Sequence, residues 1–210
     1  PKRLLLLTFF AGAASAFFAL IAQRVFISSI CNVSSSSLFN CGELSATRLV
    51  LTPTLIIVFA LIEEVFKFFA AYLAVARNPA FNEPVDAMIY AIVASLGFAT
   101  VENIGALQSG TLAQTAMVGD LFEITSLRFV GATLLHTLAS AITGYYWAIS
   151  VREFNAKRFI FWGLLLATLL HGAFNFLILK LENISYPLLL LIIAGFFVLN
   201  DFEKLKRRMI

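Results

Sequence analysis

Apolar residues in this chain gather into six long runs, covering approximately residues 4–23, 49–76, 87–107, 129–150, 159–180 and 184–202. A helix needs about 20 mostly apolar residues to cross a bilayer, and each run approaches or exceeds that. Lipid offers no partner for an open backbone group, so the runs are predicted to be α-helices. Nowhere does the period-2 alternation of a barrel strand replace them, and no internal repeat is visible. The expected fold is therefore all-α: one polytopic transmembrane helix bundle of about six spans over residues 1–210. The second run is longer than a perpendicular crossing requires, which tilt accommodates. The first follows Lys2 and Arg3, as a secretory signal would. Its apolar stretch exceeds the about 7–15 residues of a signal core, and no small-x-small cleavage site follows, so it is read as a retained helix.

Composition strengthens this reading. Of the 210 residues 60% are hydrophobic and 13% charged, where a soluble domain carries about 25% charged residues. The net charge of +3 is too small and too dispersed to suggest nucleic-acid binding. It sets orientation instead. With the N-terminus inside, the inner segments hold Lys2, Arg3, Arg77, Arg152, Lys157, Arg158, Lys204, Lys206, Arg207 and Arg208. The outer face holds only Arg24, Arg48, Arg128 and Lys180. Basic residues favour the cytoplasmic side, so both termini are predicted to be cytoplasmic and the chain to lie in the cell membrane.

Two outer segments stand apart. The first, FISSICNVSSSSLFNCGELSATR, carries the only cysteines, Cys31 and Cys41. An extracytoplasmic position favours a disulfide between them over two free thiols. The second, QSGTLAQTAMVGDLFEITSLR, mixes apolar and polar residues. It is read as a short interfacial helix that either covers a site or merely connects two spans.

The stretch ALIEEVFKFF at 60–69 is harder to explain by membrane residence alone. It sets Glu63, Glu64 and Lys67 between apolar flanks. Span three adds Glu102 and Asn103 in GFATVEN, span four His136 in TLLHTLAS, and span five His171 and Asn175 in LLHGAFNF. These are the only histidines. A charge at a helix centre costs about 2.5–3.5 kcal/mol even on lenient insertion scales, so such groups need partners or a wet cavity. Glu63 and Lys67 stand four apart with the acid first, the favourable order for a helical pair. His171 and Asn175 share a face by the same spacing. At 1.5 Å per residue, Glu63, Glu64, Glu102, His136, His171 and Asn175 lie about 18–24 Å from the inner ends of their spans. Lys67 lies lower, placed to keep one glutamate ionised. An ion pair can staple helices, and a lone histidine or asparagine is often interhelical packing. Three carboxylates, two imidazoles and an amide at one depth exceed what stapling requires. Asp86, at the inner end of span three, is read as a helix start.

EEVFK, GFATVEN and HGAFN correspond to Glu-Glu-x-x-Lys, Phe-x-x-x-Glu-Asn and His-x-x-x-Asn motifs, with His136 in the helix between the last two. In this order the set resembles the PrsW family of intramembrane proteases, related to the CAAX prenyl endopeptidases and Abi proteins. The resemblance covers roughly residues 60–176. It implies an endopeptidase that cuts a membrane-anchored protein, such as an anti-sigma factor, and the depth of the polar cluster with the outer lid candidate puts the expected cut near the extracytoplasmic side. Two positions depart from the relatives. Ala106 stands where the family often has an aromatic, and Glu102 stands where the CAAX enzymes have histidine.

Peptide hydrolysis needs an activated water, a stabilised oxyanion and an acid for the leaving amine. The preferred assignment gives the water to Glu63 or Glu64, helped by Glu102 or His136. The resemblance implies that His171 and Asn175 bind the oxyanion, with Lys67 and Asn103 supporting. No cofactor is required in this glutamate-type mechanism. A zinc mechanism remains open, with His136, His171 and one of Glu63, Glu64 or Glu102 as ligands, although no His-Glu-x-x-His pair is present. Intramembrane acids and histidines also relay protons, so a proton-coupled transporter is an alternative of a different class. A non-catalytic scaffold would not need all six groups. The partners expected are the bilayer and a membrane-anchored protein substrate, and the sequence fixes no oligomeric state.

Overall fold

The computed structural model describes residues 1–33, 52–108, 118–152, 156–181 and 184–207. All regular structure among them is helical: α1 Lys2–Val33, α2 Pro53–Val75, α3 Pro84–Gln108, α4 Val118–Arg152, α5 Ala156–Lys180 and α6 Ser185–Arg207. Three stretches, Lys2–Ile30, Pro84–Leu107 and Lys157–Lys180, are long and apolar enough to cross a membrane by length and composition. In α2 that composition is broken at its centre by Glu63, Glu64 and Lys67.

The helices correspond to the six apolar runs, with differences at their ends. α1 continues to Val33, and α6 to Arg207, beyond the boundaries that hydrophobicity marks. The segment expected to form a separate interfacial helix is instead partly the first turns of α4, which begins at Val118. Helical hydrogen bonding continues through polar residues once a neighbouring turn supports it, so an apolar boundary is not a helix boundary. Cys41, the side chain of Cys31 and residues 109–117 lie outside the described residues, and with them the disulfide and lid expectations. Pro84 opens α3, and Asp86 Oδ2 accepts from the backbone N–H of Asn82 at 3.1 Å and of Glu83 at 3.0 Å. Asp86 thus serves the helix start, as its position implied.

Packing closes five helices into a ring. Going round it, α1 packs on α2, α2 on α5, α5 on α4, α4 on α3, and α3 back on α1, while α6 lies mainly against α4. Without a hydrophobic drive between helices in lipid, close backbone approach does much of the work. Gly144 of α4 meets α3 in this way: an added Cβ would lie 2.6 Å from the Met88 Cα. Below the charged cluster, Trp147 stacks on Phe81 with centroids 5.0 Å apart and meets Phe68 edge-on at 5.7 Å. Some buried hydroxyls bond to their own helix, Thr8 to the Leu4 carbonyl at 2.8 Å and Ser150 to the Trp147 carbonyl at 2.7 Å. Such bonds let these two enter the bundle without orphaned donors.

Candidate active site

Every helix of the ring sends a polar group to its interior. α2 supplies Glu63, Glu64 and Lys67, α3 Glu102, α4 His136, α5 His171 and α1 Gln23. Counting depth along separate helices predicted that the acids and imidazoles would converge, and they do. Glu64, Lys67, His136 and His171 are buried to 1–2% exposure. A charged group so placed is tolerable only if paired.

The pairing runs as one chain of contacts. Lys67 Nζ donates to Glu64 Oε1 at 2.5 Å and to His136 Nδ1 at 3.0 Å. An ammonium only donates, so His136 Nδ1 must accept, and a neutral ring then carries its proton on Nε2. That Nε2 faces Glu102 Oε2 at 2.6 Å. On the other side, His171 Nδ1 lies 2.7 Å from Glu64 Oε1. Glu64 therefore takes the Nδ1–H, and the Nε2 lone pair points to Glu63 Oε2, 3.5 Å away. The two imidazoles meet edge-on with centroids 5.0 Å apart. Phe98 packs against His136 at 5.5 Å and lies under Lys67 Nζ at 5.4 Å. Its ring fills the space beside the cation and adds attraction to it.

The i,i+4 pairing of Glu63 with Lys67 is not what forms. Lys67 takes Glu64, at i,i+3, because Glu64 is the carboxylate that faces α5 and the bundle centre. Glu63, one residue earlier, is turned about 100° away on a 3.6-residue helix and faces α1. There it accepts at Oε1 from Gln23 Nε2 at 2.8 Å. Its Oε2 is buried and, among the described residues, has no hydrogen-bond partner, and the same holds for Oε2 of Glu64. Gln23 is a member that the sequence reading missed. Asn103 is buried but bonds Thr133 Oγ1 of α4 at 3.1 Å, an interhelical contact outside the chain of charges. Asn175 is half-buried one turn past His171 and makes no hydrogen bond to the cluster among the described residues.

The cluster is open on one side. A cavity of about 690 Å³ is lined by residues of α1 and α3, among them Gln23 and Glu102, and by Glu63 of α2. Glu102 is 46% exposed within it, against 12% for Glu63. The cavity therefore gives access to Glu63 and Glu102 while the imidazoles and Lys67 stay enclosed.

Donor atoms of Glu63, His136 and His171 lie within 4.8 Å of one another, close enough that small shifts would bring them around an ion at about 2 Å. Their chemistry fits less well. A ligating histidine ordinarily gives its second N–H to a carboxylate or carbonyl. His171 has that arrangement with Glu64. His136 does not: its Nδ1 faces the Lys67 ammonium, so its proton is held on Nε2, where a ligand needs a lone pair. To hold an ion, His136 would have to move its proton off Nε2 and release Lys67.

The chain matches the family profile described as "PrsW family intramembrane metalloprotease" over residues 1–200. It is 34% identical to Protease PrsW of Geobacillus kaustophilus over 136 residues, 64% of this chain and 56% of the relative. Against Protease PrsW of Oceanobacillus iheyensis identity is 31%, covering 67% of this chain and 59% of the relative. Against that of Bacillus subtilis it is 30%, covering 68% and 62%. The chain thus spans less than two thirds of the length of these relatives. No solved structure matches it.

Proposed function

This chain belongs to the PrsW family of intramembrane proteases, and on that premise we propose that it hydrolyses a peptide bond in a membrane-anchored protein. The observation that carries the reading is Glu63. One of its carboxylate oxygens is held by Gln23 while the other has no hydrogen-bond partner among the described residues and faces His171 Nε2 at 3.5 Å, and the residue lines an open groove. A general base needs a free oxygen fixed in direction and within reach of water, and Glu63 has it. Glu64 also has a free Oε2, but its Oε1 is shared between Lys67 and His171, it is 1% exposed and it does not line the groove.

In this mechanism Glu63 takes a proton from the attacking water as its oxygen bonds to the scissile carbonyl carbon. Glu64 orients His171, whose Nε2 shares that water. Asn175, on the His171 face by helical register, donates its side-chain N–H to the oxyanion, and His171 joins it once Nε2 has taken the water's proton from Glu63, 3.5 Å away. The C–N bond then breaks as that proton passes to the leaving amine, which hydrogen-bonds to the Glu102 carboxylate beside His136. Lys67 holds both halves together, charging Glu64 and fixing the His136 tautomer. The site serves a substrate of the anti-sigma-factor kind, cut near the extracytoplasmic side, in a cell-membrane protein with both termini inside.

The family's description names a metalloprotease, and the closeness of Glu63, His136 and His171 favours testing zinc directly. Purified protein is incubated with a membrane-anchored reporter, with and without chelator, and its metal content is measured. The reading expects cleavage that survives chelation without stoichiometric zinc. Glu63→Ala, Glu64→Ala and His171→Ala should each lower the rate at least about 100-fold, the scale of a lost acid–base group. Stoichiometric zinc with chelator-sensitive activity would replace the glutamate mechanism. Three variants cutting at the wild-type rate, or proton flux in liposomes with no cleavage, would overturn the proposal.

A further inference from the structure

The groove leading to Glu63 and Glu102 has a shape that comes from where α1 and α3 touch. A Cβ on Gly12 would lie 1.9 Å from the Ala94 carbonyl oxygen, and one on Gly97 would lie 1.9 Å from that of Phe9. The two backbones are in direct contact there. Farther along, Ala16 to Arg24 and Phe98 to Ala106 line opposite sides of the cavity. The helices thus meet at the glycines and part beyond them, leaving a wedge with the carboxylates at its inner wall.

The wedge is apolar apart from that wall and its rim. Phe17, Leu20 and Ile104 form its lips and are 59%, 47% and 48% exposed. Gly105 lines it too, and an added Cβ there would meet nothing within 4 Å. Unlike Gly12 and Gly97, which meet the backbone of the facing helix, Gly105 borders open volume next to Glu102. Apolar lips of this kind, continuous with the carboxylates, fit a lipid-anchored or membrane-embedded polypeptide better than a water-borne peptide.

We propose that this wedge is the specificity subsite of the protein: it takes a large apolar side chain flanking the scissile bond, with Gly105 setting how large. The inference rests on the protease reading and names its substrate class, a membrane-anchored polypeptide with leucine or phenylalanine beside the cut. The empty space over Gly105 is where that side chain goes. An apolar pocket discriminates by about 10–200-fold per methylene-scale change, so the effect is measurable.

The test varies pocket and reporter together. Membrane-anchored reporters carrying Phe, Leu or Ala on either side of the cut are compared in wild type and Gly105→Leu. The proposal expects wild type to prefer Phe and Leu over Ala at least tenfold in kcat/KM, and Gly105→Leu to lower that preference at least tenfold. Gly105→Ala should fall between. Gly195→Leu, on α6 where an added Cβ also meets nothing within 4 Å, should leave the preference unchanged. Thermal unfolding of each variant establishes that the fold survives. A Gly105→Leu protein that loses Phe and Ala reporters equally, or keeps the wild-type preference, overturns the proposal. Binding separates this from the protease reading. In Glu63→Gln protein, affinity for the uncut Phe reporter should exceed that for the Ala reporter and fall at least tenfold when Gly105→Leu is added. If wild type cuts nothing but this binding pattern holds, the subsite stands and the protease reading falls. If neither reporter binds preferentially, the subsite falls.

Discussion

Lys67→Met tests whether the interior charges are bound to one another as the contacts imply. Lys67 and Glu64 are each 1% exposed, joined through Oε1, and Lys67 also donates to His136 Nδ1 at 3.0 Å. Methionine fills similar space without charge. The variant leaves the Glu64 carboxylate in the bundle with His171 as its remaining partner. Removing one member of a buried pair costs about 3–5 kcal/mol, mostly the burial of the charge left behind. His136 also loses a donor, about 1 kcal/mol at the usual value of one hydrogen bond. Adding Glu64→Gln removes the orphaned charge and leaves only the lost hydrogen bonds, so the double variant should sit about 1–2 kcal/mol below wild type. The double variant is thus more stable than Lys67→Met alone by about 3–4 kcal/mol. Equilibrium unfolding of purified protein in mixed micelles measures all three. A single variant costing under about 1 kcal/mol, or a double variant no more stable than the single, would refute the buried-pair reasoning.

Three further outcomes follow from other contacts. Gln23→Leu removes the bond to Glu63 Oε1 and should lower kcat about 10–100-fold, the value of one hydrogen bond to a charged group. Gln23→Glu keeps the shape but cannot donate when ionised, and steady-state kinetics should find it no better. Gly12→Ala drives a Cβ into the Ala94 backbone and should cost about 1–3 kcal/mol in the same unfolding measurement, whereas Gly195→Ala should not destabilise. Asn103→Leu breaks only the contact to Thr133. It should cost about 0.6 kcal/mol and change the cleavage rate less than tenfold.

The apolar runs made the six helices legible because lipid leaves a spanning backbone almost no other choice. Helix ends were less so. α1 runs to Val33, through polar residues that look like a loop, since nothing in hydropathy records a helix continuing beyond the lipid. Gln23 escaped the sequence reading because it closes the first apolar run, where a polar residue is ordinary, and only the packing of α1 on α2 brings it to Glu63. Convergence of Glu63, Glu64, Glu102, His136 and His171 was legible because depth depends only on rise per residue. Which carboxylate Lys67 would choose was not. Glu63 and Glu64 differ by one residue, and only the placement of α1 and α5 around α2 decides which of them faces inward. The wedge depends on α1 and α3 parting beyond Gly12 and Gly97, a tertiary property that neither helix carries alone.

The central claim is that Glu63 activates a water inside the membrane bundle, and oxygen labelling tests it most directly. A membrane-anchored reporter is cut by purified protein in ¹⁸O-enriched water, and the new C-terminus is analysed by mass spectrometry. The account predicts one solvent oxygen in each newly formed carboxyl group with wild type, and no product above background with Glu63→Gln. Glu63→Gln protein that forms the labelled product at the wild-type rate would contradict it.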